Sequence, residues 1–229
     1  NWKGRMISVD EAITSRRSVR AFKAAPVPNG TISHILEVAS RAPSGTNMQP
    51  WHVHIFTGDA LNSLTSSVLD AFWNEPDEHQ SDRQHYLEKI RDPYLARRRK
   101  VGWDLYGILG IGKGEREKTR EYHAQNYKFF GAPVGMIFTI DHDMGWMSWL
   151  DYGMFIQNIC IAARGQGLHT CPQAAWGSYH DVVEKHLGLP EIQLVHCGMS
   201  LGYEDTEAAV NTLETVREPV KVFVTFHTE

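Results

Sequence analysis

Residues 149–168 read WLDYGMFIQNICIAARGQGL, and apolar side chains occur on nearly every side of the helix that this stretch predicts. A helix that is apolar all round is buried on all sides in a globular protein. No apolar run in the chain approaches the roughly 18 residues of a membrane-spanning helix. We therefore expect a central, fully packed helix, around which the rest of the fold is arranged.

Four segments predict strands around this helix because they are apolar and rich in β-branched residues. They are 51–57 (WHVHIFT), 133–140 (PVGMIFTI), 194–203 (LVHCGMSLGY) and 220–226 (VKVFVTF). Further helices are predicted from the capping box at Ser8 to residue 16, and over residues 31–39, 60–73 and 178–187. Strands that are interrupted by helices indicate a three-layer α+β or α/β sandwich.

A polar stretch over residues 74–125 separates the predicted strands and shows only weak amphipathic periodicity. It predicts an inserted excursion of surface helices, or a lid. The whole chain has 229 residues, a length that one large domain accommodates. We expect a single domain over residues 1–229.

The composition excludes several classes of function. The net charge is −4, so no overall positive field attracts nucleic acid or an anionic membrane. The basic run at 97–100 fits a solvated helix face. Three cysteines without CxxC spacing argue against a disulfide framework and favour a reducing compartment, the cytoplasm. Twelve histidines lack an HExxH motif or a persuasive third ligand, so we expect no metal.

Two short stretches carry more polar groups than their local structure requires. RRSVR, residues 16–20, places three guanidiniums and a hydroxyl within five residues. Such a set suits a phosphate monoester, although a solvated basic turn explains it equally well. RAPSGTNMQPW, residues 41–51, has the composition of a turn with surplus hydrogen-bonding side chains.

The order of four motifs resembles the FMN-dependent nitroreductase family. RRSVRAF is followed by APSGTNMQPWHVHIF, then by the central helix that runs into HTCPQAAW, and finally by CGMSLGY and a late Arg217. The resemblance implies an α+β fold, specifically a three-layer α-β-α sandwich with a central mixed sheet. It also implies a homodimer with two FMN molecules at the subunit interface.

The resemblance also implies which positions bind the cofactor. One group holds the flavin phosphate and ribityl chain: Arg16, Arg17, Ser18, Arg20 and Arg217. A second group reaches the flavin of the partner subunit: Pro43, Ser44, Thr46, Asn47 and Gln49. A third group covers one face of the ring: Pro172, Gln173, Ala174 and Ala175. Either Gln125 or Asn126 contacts the ring, and Thr215 stands where several family members carry a lysine.

The chemistry that the resemblance implies is ping-pong hydride transfer from NADH or NADPH through FMN to a small nitroaromatic substrate, which is reduced to nitroso and hydroxylamine products. The protein positions the flavin, and the flavin carries out the redox chemistry. Trp103 and Tyr106 are candidate aromatic walls of the substrate pocket, and no side chain is assigned as a catalytic acid or base. A flavin, quinone or ene reductase, a dehalogenase, and a non-catalytic flavin carrier are the alternatives.

Overall fold

The core of the fold is a four-stranded sheet, seen in a computed structural model that describes residues 7–81 and 89–228. The strands are β1 (His52–Phe56), β2 (Val134–Asp141), β3 (His169–Gln173) and β4 (Gln193–Gly202), in the spatial order β1-β2-β4-β3. All three ladders are antiparallel. β2 is buried along its length up to Ile140, as its unbroken apolar sequence predicts for a central strand.

Eight α-helices and four 3₁₀ segments are assigned within the described residues. The helices are α1 (Val9–Ser15), α2 (Asn29–Ala39), α3 (Gly58–Asn74), α4 (Tyr94–Ile108), α5 (Arg116–Ala124), α6 (Trp146–Gly165), α7 (His180–Leu187) and α8 (Val220–Phe223). The 3₁₀ segments are Gly45–Asn47, Gln125–Gly131, Ala174–Tyr179 and Ala209–Thr212.

Each face of the sheet buries its own apolar cluster. One cluster packs α2 and α6 on the side of the sheet to which Met136 and Phe138 point. The other packs α3, α7 and two 3₁₀ segments on the side to which Ile137 points. Alternate residues of β2 therefore enter opposite cores, as the period of two in a strand requires. The predicted α+β class and its three-layer sandwich are confirmed.

The predicted central helix is α6, and its polar atoms find partners inside the fold. The Tyr152 hydroxyl donates to the backbone oxygen of His52 (2.7 Å) and lies 3.1 Å from that of Thr139. A buried phenol needs such a partner. At the start of α1, the predicted cap at Ser8 is present, since Ser8 Oγ accepts a hydrogen bond from Glu11 N at 3.1 Å.

The sheet differs from the expectation in two places. Residues 169–173 form the edge strand β3, which the pattern HTCPQ did not predict because it is short and contains a proline. The four-stranded sheet is antiparallel, although a mixed sheet was expected, and the parallel pairing of Ser18 with Thr170 is an isolated bridge outside the named strands. The RRSVR stretch therefore extends the sheet at its β3 edge.

The strand predicted over residues 220–226 is wrong. The segment begins with the one-turn helix α8 after Pro219, and its side chains are exposed, with Val222 at 54% and Phe226 at 77%. Its β-branched composition suits a strand, but no strand of the sheet pairs with it among residues 7–81 and 89–228. The apolar side chains of this segment remain without cover in a single chain.

The polar excursion contains α4 and α5. The basic run at 97–100 lies on α4, and all four of its residues are exposed. Arg97, Arg98 and Lys100 also interact with neighbouring groups. Residues 82–88 of the excursion lie outside the described residues. None of the described helices is both long enough and apolar enough to cross a membrane.

Candidate functional site

The RRSVR stretch is held against the β3 edge by its backbone. Val19 is fully buried and its N–H donates to the backbone oxygen of Thr170 at 3.1 Å. The Arg20 N–H donates to the Oδ1 of Asn211 at 2.8 Å. These two contacts leave the side chains of Ser18 and Arg20 half-buried beside the edge strand.

A cavity of about 970 Å³ opens beside this stretch and gathers arginines from distant parts of the sequence. Arg16 and Arg17 line it from the end of α1, Arg164 from α6, and Arg217 from the C-terminal segment. Guanidiniums present paired N–H donors to phosphate oxygens. The structure therefore brings together three of the five residues that were predicted to hold a phosphate.

Arg217 is oriented by a neighbouring threonine. Its Nη1 donates to the Thr215 hydroxyl at 2.8 Å, and it lies 3.0 Å from the backbone oxygen of Val216. Thr215 also lines the cavity. Thr215 therefore fixes the direction of the neighbouring guanidinium.

Two groups near the arginine stretch have strongly shifted pKa values. Burial, with smaller contributions from the charges of Arg164 and Arg17, lowers the pKa of His169 to about 4, so this imidazole is neutral at pH 7. Burial raises the pKa of Tyr122 to about 12, against a smaller opposing effect of the Arg20 charge. The Tyr122 hydroxyl is buried and has no hydrogen-bond partner among the described residues.

The strip Pro172–Ala175 begins with the last two residues of the edge strand β3, and its side chains alternate in direction. Pro172 and Ala174 are exposed, whereas Gln173 is 3% exposed and points into the fold. Gln173 Oε1 accepts from the Ser200 hydroxyl at 2.9 Å, and its Nε2 donates to the Asn126 backbone oxygen at 2.7 Å. The Gln173 side chain is therefore engaged within the protein, and only the strip's backbone and small side chains face outward.

The same contact places Asn126 next to the strip. Asn126 lies in the 3₁₀ segment Gln125–Gly131, and its Nδ2 donates to the His123 backbone oxygen at 3.1 Å. In the same segment, the Tyr127 hydroxyl donates to the Ala175 oxygen at 3.3 Å. This arrangement locates Gln125 and Asn126 at the strip, where one of them was expected to contact a flavin ring.

The loop around residues 43–49 has an unusual backbone. Thr46 (φ 50°), Asn47 (φ 61°) and Gln49 (φ 52°) all adopt left-handed conformations, which cost non-glycine residues free energy. The loop is stabilised by the Ser44 hydroxyl, which accepts from Gln49 N at 3.0 Å, and by Asp151 of α6, which accepts from Gly45 N at 2.9 Å. Pro43, Thr46, Asn47 and Gln49 are nevertheless exposed, and Ser44 is half-buried.

The loop and the arginine cavity lie at different places along α6. The loop contacts Asp151 near the start of this helix, whereas the cavity is lined by Gln157 and Arg164. At 1.5 Å per residue, Asp151 and Arg164 are separated by about 20 Å along the helix axis. The strained polar loop is thus remote from the arginine end of the site in the same chain.

The two candidate substrate residues occupy α4 of the excursion. Trp103 is 72% exposed. The Tyr106 hydroxyl lies 3.0 Å from the Nε2 of His123, and burial lowers the pKa of this histidine. Because His123 precedes the segment that carries Asn126, Tyr106 is linked to the neighbourhood of the strip.

Several residues of the site were not predicted. Glu204, His169 and Asn211 contact or flank the arginine stretch, and Asp151 anchors the loop. The buried position of Glu204 directly after a strand was a usable signal, since a carboxylate there needs a partner. Among residues 7–81 and 89–228, no group of three or more histidine, cysteine or acidic residues is arranged to hold a metal ion.

The donor set fits a flavin mononucleotide. The cavity offers guanidiniums for a dianionic phosphate. The outward face of the strip carries no charge and only small side chains at Ala174 and Ala175. A planar ring system can approach such a surface closely.

Comparisons with known proteins agree over nearly the whole chain. The Nitroreductase family model matches residues 13–203. The 4-nitrobenzoate reductase of Pseudomonas putida is 39% identical over 217 residues, which cover 95% of this chain and 94% of that protein. The chloronitrobenzene nitroreductase of Comamonas testosteroni is 37% identical over 218 residues, which cover 95% of this chain and 96% of that protein.

A solved structure matches equally completely. It is the FMN and NADPH-dependent nitroreductase NfnB from Sphigopyxis sp. strain HMH, with a TM-score of 0.94 and 34% sequence identity. The match covers 97% of this chain and 100% of that chain.

Proposed function

The chain belongs to the nitroreductase family, and on that premise we propose that it is an FMN-dependent oxidoreductase that uses NADH or NADPH to reduce nitroaromatic compounds. The observation that carries the proposal is the cavity in which Arg16, Arg17 and Arg217 meet beside His169, the first residue of β3. The same strand ends in Pro172 and Gln173, so a phosphate end and a ring end lie along one strand.

The residues of the chain bind and orient the cofactor in this proposal. Arg16, Arg17 and Arg217 hold the phosphate, while Ser18 and Arg20 meet the ribityl chain next to β3. The Pro172–Ala175 backbone supports one face of the ring, and its small side chains admit close approach. When bound, FMN supplies two-electron chemistry by accepting a hydride from NAD(P)H and delivering it to the next molecule that occupies the same face.

The substrate reaction balances with solvent protons. A nitro group that gains two electrons and two protons becomes a nitroso group and releases water. A second pair of electrons and protons gives the hydroxylamine. No side-chain acid or base is required, so positioning is the protein's main contribution.

We place the substrate beside α4, with Trp103 and Tyr106 as aromatic walls. Tyr106 is supported by its link through His123 to the segment that carries Asn126. Trp103 is supported by its 72% exposure, which leaves an indole face available for stacking. In this proposal the excursion over residues 74–125 acts as the lid. The chain forms one domain over residues 1–229, since both apolar clusters pack on the same sheet.

The working unit in this proposal is a homodimer with FMN at the subunit interface. Two observations support it: the loop with Asn47 lies remote from the arginine cavity of its own chain, and the C-terminal segment exposes Phe223 and Phe226. In a dimer, the loop completes the partner's flavin site, and the apolar segment is covered. The cytoplasm is the proposed compartment, because no disulfide joins the three cysteines, which are free thiols.

The test uses the purified full-length protein reconstituted with FMN. Anaerobic addition of NADH or NADPH should bleach the flavin band, and 4-nitrobenzoate or a chloronitrobenzene should restore it. Benzoate, which lacks the nitro group, is the matched control and should not restore it. A protein that holds FMN without being bleached by either nucleotide is a flavin carrier, and a protein that cannot bind FMN contradicts the proposal altogether.

A further inference from the structure

Arg17 does not extend freely into the cavity, because its guanidinium is bound by a buried carboxylate. The Nη2 of Arg17 donates to the Oε1 of Glu204, and the two groups also form an ion pair. The Glu204 side chain is 7% exposed, whereas that of Arg17 is 39% exposed. One edge of the guanidinium is thus fixed inside the protein while the rest of it remains accessible from the cavity.

The second oxygen of Glu204 is also engaged. His169 Nε2 lies 3.2 Å from Glu204 Oε2. Since the pKa of His169 is lowered to about 4, chiefly by burial, the ring beside this oxygen is neutral at pH 7. Glu204 therefore lies between the Arg17 guanidinium on one side and a neutral imidazole on the other.

Backbone contacts set the position of Glu204 opposite the arginine stretch. Phe22 and Glu204 form an antiparallel bridge, which is flanked by hydrogen bonds from Lys23 N to Tyr203 O (2.9 Å) and from Asp205 N to Ala21 O (3.1 Å). The Asn211 side chain closes the same junction, since its Nδ2 donates to the Ala21 oxygen at 2.8 Å. The carboxylate is held in place by the fold and does not depend on a flexible surface contact.

We propose that Glu204 is a positioning residue, which orients the Arg17 guanidinium for the phosphate of the cofactor before the cofactor binds. This inference rests on the proposed function. A guanidinium has five N–H donors, so Arg17 can keep Glu204 on one edge and offer the other to phosphate oxygens. Ordering this long side chain in advance removes part of the entropy cost of binding.

A positioning role gives Glu204 a different effect on cofactor binding from that of Glu214, the other acid at the site. Glu214 lines the same cavity, but it forms no ion pair with a described residue. If acids in the cavity only repelled phosphate, removal of either one would strengthen binding. If Glu204 positions Arg17, its removal should weaken phosphate binding.

The experiment titrates flavin-free protein with FMN and, in parallel, with riboflavin, which lacks the phosphate. Glu204→Ala should weaken FMN binding by about tenfold, the effect of ordering one long side chain during binding. Riboflavin binding should not change. Glu204→Gln, which keeps an oxygen that can accept from Arg17, should lose less than Glu204→Ala, and Glu214→Gln should not weaken FMN binding.

A double-mutant cycle with Arg17→Ala provides the readout that a general structural defect would not mimic. In the Arg17→Ala background, the substitution of Glu204 should cause no further loss of FMN affinity, because the group that Glu204 orients is absent. Circular dichroism checks that each variant is folded, and Glu204→Gln serves for the whole cycle if Glu204→Ala does not fold.

Three results would overturn the positioning role: unchanged FMN affinity in both Glu204 variants, an equal loss for riboflavin, or a loss that persists without Arg17. In each of them the wild-type protein still binds FMN, so the proposed function survives. A wild-type protein that binds neither flavin overturns the proposed function and the positioning role together.

Discussion

The indole of Trp176 lies directly against the backbone of Gly198 in β4. A Cβ added at Gly198 would stand 2.7 Å from the indole Nε1 and 2.8 Å from its Cγ. Trp176 is fully buried and stacks on Phe129 with ring centroids 4.4 Å apart. Because Trp176 follows Ala175 directly, this contact positions the end of the Pro172–Ala175 strip.

Gly198→Ala should therefore destabilise the protein by about 1–3 kcal/mol, the range for overpacking a dense core. The displaced Trp176 should also move the strip and weaken flavin binding. Urea unfolding and FMN titration measure the two effects. Gly30→Ala is the control, since a Cβ at Gly30 meets no atom within 4 Å. Equal stability of the Gly198 variant and the wild type would refute the packing role.

The arginine stretch should determine the preference for FMN over riboflavin. Arg16→Ala combined with Ser18→Ala should lower FMN affinity by about thirtyfold, the loss of roughly 2 kcal/mol of hydrogen bonding to a charged group. Fluorescence titration measures this loss, and riboflavin affinity should fall much less. Arg99→Ala, which removes an exposed arginine of α4, is the matched control. Full FMN retention in the double variant would count against the phosphate assignment.

The dimeric arrangement predicts a pattern in mixed dimers that carry Asn47→Ala and Arg16→Ala. If Asn47 completes the site built on the partner's Arg16, substitutions on opposite subunits damage one site and spare the other. Placing both substitutions on one subunit should damage both sites. FMN content after gel filtration should thus be higher for the opposite-subunit dimer. The reverse order would mean that each chain completes its own site.

The two acids beside His79 predict that this histidine makes a pH-dependent contribution to the stability of the fold. Its Nε2 lies 2.8 Å from Glu75 Oε2, and its Nδ1 lies 2.8 Å from Asp181 Oδ2. Burial by itself would lower the pKa of His79, but the hydrogen bonds and charges of Glu75 and Asp181 outweigh burial and raise it. A raised pKa means that the stabilisation is complete below the unfolded value of about 6.5 and is lost as the pH rises through the folded value.

His79→Gln should therefore cost more stability near pH 6 than near pH 9, because the stabilisation by the charged imidazole decreases as the pH rises. Urea unfolding of both proteins at the two pH values gives the comparison. His34, an exposed histidine of α2, supplies the control as His34→Gln, which should show no such difference. A cost that is equal at both pH values would show that the His79 ion pairs do not contribute.

Local patterns were sufficient for much of the fold. The Ser8 cap, the fully apolar α6 and the strands β1, β2 and β4 were predictable, because capping and hydrophobic period are properties of neighbouring residues. The same reasoning failed for residues 220–226. Their β-branched pattern is compatible with a strand, but strand formation also needs a pairing edge, which no short pattern contains.

The layers of the fold and the arginine stretch can be read from residues close together in the chain, and the order of the motifs indicates a flavin-binding family. Which groups meet depends on the folded chain. Arg17 and Glu204 are 187 positions apart and form an ion pair, and Gln173 points inward to Ser200 and Asn126, although it lies in a strip that was expected to face a ring. Periods and caps act over a few residues, whereas long-range packing selects the partner of a buried polar group.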